Sequence, residues 1–291
     1  MGKPIRPVVR MLWHTPEPQK MIAVAARMCY SAMPVSRLAE ELGKEEQDRM
    51  VRHILSVRHY SVLRHVLFAF TVEGVSRSFS HQFVRHHVGF DLEQRSQHYR
   101  RERDFDYELP AAVSGNSDIS VRSAYETFMG NAQQLYDRLI EHGVDKADAR
   151  QVLPNACETQ LVVTLNLNAA MNFLSQRACR LNTSEILDVA VQIRRLIVGV
   201  IPEAMDFLGP TCFTAGVCYE GRKKYLKSCR RPWQSPTVLW DEDFPRMVRL
   251  VGLKDGKHWE TELPAGEAFV AKAAPPEEFQ LEQGEDSRNQ S

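Results

Sequence analysis

The sequence predicts an α+β protein, and three observations support this class. Apolar runs of strand length occur at Val8–Trp13, Val66–Val75 and Gln160–Asn166. Apolar residues recur at helical spacing over long stretches, most clearly at 119–142 and 184–205. The chain has 291 residues, 43% hydrophobic and 25% charged, which is ordinary for a globular protein. It can therefore hold one sizeable core, or one domain with an appendage.

The first half of the chain contains two strands and several helices. After the strand Val8–Trp13, an amphipathic helix is predicted over Pro16–Ala32 and a second helical region over 36–57. The strand Val66–Val75 leads into a helix over Ser76–His86. The polar stretch Val88–Gln94 predicts a loop, with Gly89 as its breaker.

The second half begins with a charged, irregular link over 100–117 and a long helix over Ile119–His142. Asp118 is its predicted N-cap and Gly143 its stop. The residues predicted to form its core face are Ala124, Phe128, Leu135 and Leu139. Asp145, with Asp148, opens a short helix that ends at Pro154. The strand Gln160–Asn166 and helices over Asn168–Cys179 and Ser184–Met205 follow.

The C-terminal part predicts a β-hairpin from Arg246–Val251 and His258–Leu263, turning at Asp255-Gly256. The acidic, Gln-rich stretch Pro275–Ser291 is predicted to be disordered. We therefore expect a main domain at 1–232, a hairpin extension at 233–273 and a disordered tail at 274–291.

Charge and cysteine usage exclude several function classes. The net charge is about zero and the sequence pI is about 7.1, which argues against a bulk nucleic-acid binder. No apolar run reaches the length of a membrane span, and the start lacks a signal-peptide core, so a cytoplasmic protein is expected. Cys179, Cys212, Cys218 and Cys229 could form a zinc site, but no CxxC pair is present. The favoured interpretation is that these cysteines are free thiols and bind no metal.

One stretch, 82–99, concentrates cationic and hydrogen-bonding side chains. It contains Arg85, His86, His87, Arg95 and His98 among glutamines and a serine. Unpaired burial of such groups costs several kcal/mol each, so they do not build a core. They face either solvent or an anion, and phosphate is the anion that guanidinium groups bind best. Composition alone leaves both interpretations open.

The residues of this stretch resemble the signature of flavin-dependent thymidylate synthases. The matching residues there are Arg85, His86, Gln94, Ser96 and Tyr99. Further matching blocks follow the family's order: Cys29-Tyr30-Ser31, His59 with Ser61 and His65, Ala149-Arg150 with Leu153-Pro154, and Thr164, Asn166, Asn172, Phe173 and Arg177. The resemblance covers about residues 8–231. Taken alone, Ser31 is equally typical of a polar residue that ends a helix, and a lone histidine such as His59 is more often a structural hydrogen-bonding residue than a catalytic one.

The resemblance implies a central antiparallel or mixed sheet flanked by long helices, with the predicted hairpin as an appendage. It implies reductive methylation of dUMP to dTMP by a homotetramer, with FAD as cofactor and NADPH and 5,10-methylenetetrahydrofolate as co-substrates. Arg177 would be catalytic and would contact the uracil. The implied substrate-binding residues are Gln82, Arg85, Gln94, Ser96, Gln97, His98, Arg150 and Arg177. The implied FAD-binding residues are Ser31, His59, Ser61, Arg85, His86, His87, Asn166 and Asn172.

Several positions depart from the family pattern, including Val62 in place of a proline and Thr183 in place of a glutamine, and four departures change a charged residue. His87 and His98 replace arginines, Arg64 replaces a glutamate and Asn168 replaces an arginine. A histidine carries only part of a positive charge near neutral pH, so phosphate binding could weaken by about ten- to a hundredfold. The interval from Arg85 to Ser96 is also one residue longer than in the family. Arg95 and Arg100 could therefore substitute for the lost arginines.

The sequence leaves four functional hypotheses. The first is an active thymidylate synthase of this family, and the second is a paralogue that modifies another pyrimidine nucleotide. The third is a non-catalytic member that binds a nucleotide or a partner. The fourth, a nucleic-acid-binding module built on the basic stretch 77–103, is disfavoured by the neutral pI and by the scarcity of aromatic residues there.

Overall fold

The computed structural model describes residues 2–214, 217–218, 247–254 and 257–264. It divides into two compact units, Met1–Pro210 and Thr211–Ser291. No helix in the described part of the chain is both long enough and apolar enough to cross a membrane.

The first unit combines four strands with nine helices among its described residues. The strands are β1 (Val8–His14), β2 (Leu67–Ser76), β3 (Phe90–Gln94) and β4 (Glu158–Asn166). The helices are α1 (Pro18–Arg27), α2 (Val35–Glu41), α3 (Lys44–Ser56), α4 (Arg77–Phe83), α5 (Ala111–Ser114), α6 (Ile119–Glu141), α7 (Lys146–Ala149), α8 (Leu167–Arg177) and α9 (Ser184–Val200). Three 3-10 segments lie at Tyr60–His65, Arg150–Val152 and Pro202–Phe207.

The strands form one sheet in the order β1-β2-β4-β3, and every neighbouring pair is antiparallel. Alternate residues of the central strands are fully buried, including Phe68, Phe70 and Val163. Helices α4, α8 and α9 pack against this sheet. Each large apolar side chain buried there stabilises the fold by about 1.5–3 kcal/mol. The predicted α+β class with a central antiparallel sheet is confirmed.

The prediction of a loop over 88–94 is wrong, because the chain forms β3 there and pairs with β4. Phe90 is buried opposite Leu165, while Asp91 and Glu93 face outward. A half-exposed edge strand with two acidic residues resembles a loop in composition, which explains the error. Gly89 does adopt a left-handed conformation, with φ of 67°, as a breaker should.

Side chains cap several helices. Asp118 and Asp145 cap α6 and α7, each accepting from the backbone N–H two residues later, at 2.9 and 2.8 Å. Ser76 and Asn166 cap α4 and α8, each accepting from the N–H three residues later, at 3.0 and 2.8 Å. A cap of this kind contributes about 1 kcal/mol, so the helix starts at Asp118 and Asp145 were predictable from sequence.

Some helices end differently from the predictions. The region 36–57 forms two helices separated at Gly43, and α4 ends three residues before His86. Helix α9 ends at Val200 because Pro202 lacks the N–H that a further helical turn would require.

The predicted core face of α6 is wrong. Phe128 and Leu135, both assigned to the core, are 57% and 47% exposed; Ala124 is exposed and Leu139 is only half-buried. The side chains that are buried instead are Met129, Ala132, Gln133 and Tyr136. Gln133 accepts from the backbone N–H of Phe105 at 2.9 Å, so a polar residue occupies the buried face and obscures its periodicity.

The second unit contains the predicted hairpin. Helix α10 (Thr211–Thr214) and strand β5 (Val217–Cys218) precede β6 (Met247–Lys254) and β7 (Lys257–Pro264). β6 pairs antiparallel with β7 and parallel with β5, so the hairpin is confirmed. The Asp255-Gly256 turn, Cys229, the side chains of Cys212 and Cys218, and the tail 274–291 lie outside the described residues. The domain limits at 232 and 273 remain predictions.

Candidate active site

A cleft of about 520 Å³ opens between α4 and the segment that follows α7. Arg77, Ser80 and His81 line it from α4. Gln94 and Gln97 line it from the end of β3 and the residues after it. The remaining lining residues are Val84, Arg150, Gln151, Leu153, Pro154 and Asn155. The cleft thus brings together three predicted substrate-binding residues, Gln94, Gln97 and Arg150.

The cleft is cationic. Its lining includes two arginines and no aspartate or glutamate. The Arg77 guanidinium donates to Oε1 of Gln97 at 3.2 Å, and Nε of Arg150 donates to the carbonyl oxygen of Ala147 at 3.1 Å. Burial lowers the pKa of Arg77, and the positive charges of Arg150 and Arg95 lower it further. Because an arginine keeps its proton throughout the physiological range, the cleft carries a positive charge that suits an anion.

Hydrogen bonds to buried residues orient the side chains of Gln94 and Gln97. Nε2 of Gln94 donates to the Thr159 hydroxyl at 3.1 Å, and Nε2 of Gln97 donates to Sγ of Cys157 at 3.5 Å. Gln97 is 7% exposed. Burial raises the pKa of Cys157 to about 12, so this thiol stays protonated and serves as a buried structural partner.

Arg95, which the sequence suggested as a substitute for a lost arginine, is already paired with a carboxylate. Its guanidinium forms an ion pair with Glu158 at 2.7 Å and also donates to the Glu158 carbonyl oxygen at 3.1 Å. Both side chains are only 16% exposed. Arg95 therefore neutralises the half-buried carboxylate of Glu158.

A second polar group lies where α8 ends and joins the turn after α4. Nε of Arg177 donates to Nε2 of His86 at 3.0 Å, and NH1 of Arg177 reaches Oδ1 of Asn182 at 3.5 Å. His86 is 8% exposed and packs edge-on against Phe173, with 5.1 Å between ring centres. Two predicted site residues separated by 91 positions thus form a direct contact.

His86 is neutral in this environment. Burial is the main cause that lowers its pKa from 6.5 to about 4, and the charges of Arg177 and His87 add to the effect. Because Nε2 accepts from Arg177, the ring proton is on Nδ1. Burial also lowers the pKa of Arg177, whose charge faces a neutral imidazole rather than a carboxylate. The Arg177 charge is therefore available to a ligand.

The other predicted substrate-binding residues lie on or near the surface of the first unit. Arg85 and His98 are exposed, and Gln82 and Ser96 are half-buried. The Ser96 hydroxyl accepts from the backbone N–H of His98 at 3.1 Å, which shapes the turn after β3. Among the described residues, Arg85 has no side-chain hydrogen bond, so its donors are free for a ligand.

The predicted cofactor-binding residues are more dispersed. Asn166 caps α8 and lies against Gly89, where an added Cβ would come within 2.2 Å of its Nδ2. Asn172 is exposed on α8, and Ser61 is exposed in the 3-10 segment that packs against α1 and α8. The others are placed as follows: His59 immediately before that segment, Ser31 after α1, and His87 exposed after His86. Within the described chain, no hydrogen bond joins Ser31, His59 or Ser61 to the cleft.

The chemistry of this donor set fits a flavin dinucleotide. Hydroxyl, amide, imidazole and guanidinium donors suit a diphosphate and the carbonyl oxygens of an isoalloxazine ring. No group of three or more histidine, cysteine, aspartate or glutamate side chains in the described residues is arranged to hold a metal ion.

Sequence reasoning missed Arg77, Ser80 and His81 as site residues. Together with Val84 they recur at the spacing i, i+3, i+4 and i+7, which defines one face of a helix. Buried Phe79 and Phe83 define the other face of α4. This row of polar side chains on one face of α4, one turn before Arg85, could have predicted these three site residues from the sequence.

Comparisons with known proteins bear on this site. The chain matches the model of the family described as thymidylate synthase complementing protein over residues 10–203. A flavin-dependent thymidylate synthase of Geobacter sulfurreducens is 38% identical over 215 residues, covering 73% of this chain and 91% of that protein. One from Clostridium tetani is 35% identical over 236 residues, covering 76% and 93%.

A solved structure shares the fold. It is the UMP/dUMP methylase PolB from Streptomyces cacaoi bound with 5-Br dUMP, with a TM-score of 0.61 and 21% identity, covering 71% of this chain and 96% of that chain. The family match, over residues 10–203, lies within the first unit and includes both polar groups described above.

Proposed function

Because this chain belongs to the flavin-dependent thymidylate synthase family, we propose that it converts dUMP to dTMP, with methylene from 5,10-methylenetetrahydrofolate and electrons from NADPH through FAD. The observation that carries the proposal is the cationic cleft, which has two arginines and three glutamines in its lining and no carboxylate. A nucleoside monophosphate offers a dianionic phosphate to the arginines and a polar base edge to the amides. The reaction would draw on cytoplasmic pools of these substrates.

The cleft residues would bind the nucleotide. Arg150 binds the phosphate by charge-assisted hydrogen bonds, and the hydroxyl of Ser96 adds another donor at the turn after β3. Gln94 and Gln97 have carboxamides already oriented by buried partners, so they lose little side-chain entropy on binding. The donors that can complete the binding of the nucleotide are those of the half-buried Gln82 and of the exposed Arg85 and His98.

Arg177 would supply the electrostatic part of catalysis. Attack at the uracil ring places negative charge on a ring carbonyl oxygen, and a fixed guanidinium stabilises that charge. His86 fixes the guanidinium through a neutral acceptor, so the positive charge of Arg177 is not cancelled. Loss of one donor of this kind typically lowers turnover by about a hundred- to a thousandfold.

FAD would be held by Ser31, His59, Ser61, Arg85, His86, His87, Asn166 and Asn172. When bound, the flavin supplies the hydride that converts the transferred methylene to a methyl group. His86 and the phenylalanine rings around it exclude water from one side of Arg177, which strengthens its electrostatic effect.

A homotetramer is part of the proposal. Large apolar side chains remain exposed on the first unit, including Leu12 (59%), Trp13 (48%) and Phe128 (57%). Burying such residues between subunits would stabilise an assembly. The exposed apolar residues of α6, wrongly assigned to the intrachain core, would then belong to a subunit contact.

A second candidate is a related enzyme that acts on another pyrimidine nucleotide. The amides of Gln94 and Gln97 favour it, because a carboxamide can donate to a carbonyl oxygen or accept from an amino group. The same cleft would therefore accept uracil or cytosine.

The test combines flavin absorbance with tritium release. Purified protein mixed with FAD should show a flavin spectrum that remains after gel filtration. Protein with FAD, NADPH and 5,10-methylenetetrahydrofolate should release tritium from 5-³H-dUMP and form dTMP. Release from labelled dCMP but not dUMP would favour the second candidate. A colourless protein that releases no tritium from either nucleotide would contradict both.

A further inference from the structure

We infer that Glu185 is a positioning residue for the proposed reaction: it fixes the start of α4, and with it the orientation of the helix face that lines the cleft. Glu185 itself lies outside the cleft lining. The inference rests on the proposed function, because its kinetic consequence is measured with dUMP. The family resemblance assigned no role to this residue.

Glu185 lies in the first turn of α9 and contacts the residue at which β2 ends and α4 begins. Oε1 of Glu185 accepts from the backbone N–H of Ser76 at 2.5 Å, and Oε2 accepts from the Ser76 hydroxyl at 2.8 Å. The two residues are 6% and 1% exposed. Both oxygens of one buried carboxylate therefore bind a single residue, 109 positions away in the sequence.

The contact extends into the first turn of α4. Because the Ser76 hydroxyl donates its hydrogen to Glu185, a lone pair of its Oγ is left to accept from the N–H of Phe79, at 3.0 Å. This second hydrogen bond is the cap that begins the helix. Loss of the carboxylate therefore removes the acceptor of the Ser76 N–H and also frees the hydroxyl that caps the helix.

Helix α4 depends on such contacts for its orientation. It has 7 residues, and a helix of that length is not stable by itself. Two further N–H groups at its start donate to one segment of the chain, from Arg77 to the carbonyl oxygen of Cys157 at 3.0 Å and from Ser78 to that of Asn155 at 2.8 Å. Glu185 ties the same helix start to a different element, α9, so the helix is held at two places.

The cleft is sensitive to the orientation of α4 because one face of the helix lines it. Ser80 and His81 lie in the cleft lining, whereas the rings of Phe79 and Phe83 are buried. A shift of the helix therefore moves its cleft-lining side chains together. Misplacement by about 1 Å can lower the efficiency of an enzyme by about a hundredfold, even when the substituted residue is far from the chemistry.

The electrostatics of Glu185 favour this role over simple packing. Burial raises its pKa, and the hydrogen bonds from the N–H and hydroxyl of Ser76 oppose that shift. Burial is also the main cause that raises the pKa of Glu108 to about 7, and the charges of Glu185 and Asp188 add to it. A buried carboxylate with acidic neighbours does not stabilise a fold by filling space, so its contribution lies in the two donors that it binds.

The experiment measures tritium release from 5-³H-dUMP with FAD, NADPH and 5,10-methylenetetrahydrofolate. Glu185→Gln keeps the shape of the side chain but cannot accept from both Ser76 donors, because its Nε2 is itself a donor. KM for dUMP should rise at least about tenfold, and kcat should change by less than about threefold, since Arg177 belongs to the other polar group. The control Glu41→Gln removes an exposed carboxylate paired with Arg37 and should keep wild-type kinetics.

A double-mutant cycle separates positioning from a general loss of stability. Ser76→Ala removes the capping hydroxyl and should also raise KM for dUMP. Because both substitutions break the same contact, the double variant should raise KM by clearly less than the product of the two single effects. Single effects that multiply in full would overturn the inference.

Amide hydrogen exchange gives a readout that needs no activity. In Glu185→Gln the amides of Ser76 and Phe79 should exchange faster than in the wild type, whereas those of α3 should not change. Equal acceleration in α3 would indicate a general loss of stability and would overturn the inference, as would a raised KM without faster exchange at these two amides. If Glu185→Gln does not fold, Glu185→Asp carries the test, because its shorter side chain cannot reach both donors; wild-type KM and exchange in that variant would overturn the inference.

The inference and the proposed function can fail separately. A wild-type KM in folded Glu185→Gln would overturn the positioning role even if the enzyme turns over dUMP. If the wild type turns over neither dUMP nor dCMP, the proposed function fails. Faster exchange at Ser76 and Phe79 alone would then still support the role of Glu185 in fixing α4, and unchanged exchange would overturn that role as well.

Discussion

The buried pair of His86 and Arg177 makes stability depend on acidity in a predictable way. The folded-state pKa of His86 is lowered from 6.5 to about 4. The unfolded chain therefore binds one more proton than the folded chain between these two values. Stability is fully present above about pH 6.5 and is lost as pH falls toward 4. His86 is 8% exposed, so solvent screening leaves most of this effect in place.

The magnitude follows from the two pKa values. Each pKa unit corresponds to about 1.4 kcal/mol, so the difference is worth about 3.5 kcal/mol at most. Between pH 7 and pH 4.5 we expect His86 to contribute a loss of about 2–3 kcal/mol in the free energy of unfolding. His86→Leu removes this titration, although it is less stable at pH 7 by about 1.5–3 kcal/mol, because the Arg177 N–H loses its acceptor.

Urea unfolding at pH 7 and pH 4.5 measures the difference directly. The wild type should lose about 2–3 kcal/mol more than His86→Leu does over this interval. His142→Leu is the control, since it removes an exposed histidine at the end of α6 and leaves the buried pair of His86 and Arg177 intact. The reasoning is refuted if His86→Leu and the wild type lose the same amount, because His86 would then titrate alike in both states.

Three further substitutions test other parts of the structure. Arg177→Ala should lower tritium release from 5-³H-dUMP by at least about a hundredfold. The circular dichroism spectrum of the variant without dUMP should match that of the wild type, and undiminished activity would remove Arg177 from catalysis. Gly89→Ala should lower the free energy of unfolding by about 1–3 kcal/mol, because φ is 67° and the added Cβ would displace Asn166 from its capping position; a neutral result in urea unfolding would contradict this geometry. Glu185→Leu should cost about 1–3 kcal/mol in the same assay, because Glu185 accepts from the Ser76 N–H and hydroxyl in a buried site, and unchanged stability would contradict that role.

Local sequence signals predicted much of the fold. The strands near 8–13, 66–75 and 160–166 were evident from their apolar runs, and the caps Asp118 and Asp145 from short-range side-chain chemistry. These features depend on neighbours within a few residues, which is the range that sequence patterns report.

Features that depend on distant partners were missed. β3 exists because β4, about 70 residues later, offers a free edge, and nothing within 88–94 indicates that edge. The buried face of α6 was misassigned because Gln133 and Tyr136 find partners on residues 102–105. Tertiary hydrogen bonds made these polar groups acceptable in the interior, against their usual preference.

The candidate site divides in the same way, into residues predicted from the sequence and contacts that only the folded chain shows. Arg150 and Arg177 were identified from the family resemblance, residue by residue. The direct bond between Arg177 and His86, the pairing of Arg95 with Glu158 and the position of Arg77 in the cleft all required the folded chain. Each of them depends on contacts between segments that are far apart in sequence.

The cleft lined by Arg77 and Arg150 should bind the phosphate of a pyrimidine nucleotide. The most direct measurement is a crystal structure with 5-bromo-dUMP, in which bromine anomalous scattering locates the base independently of the phosphate. Phosphate oxygens should lie within hydrogen-bond distance of both guanidinium groups. An ordered nucleotide whose phosphate lies outside this cleft would contradict this prediction.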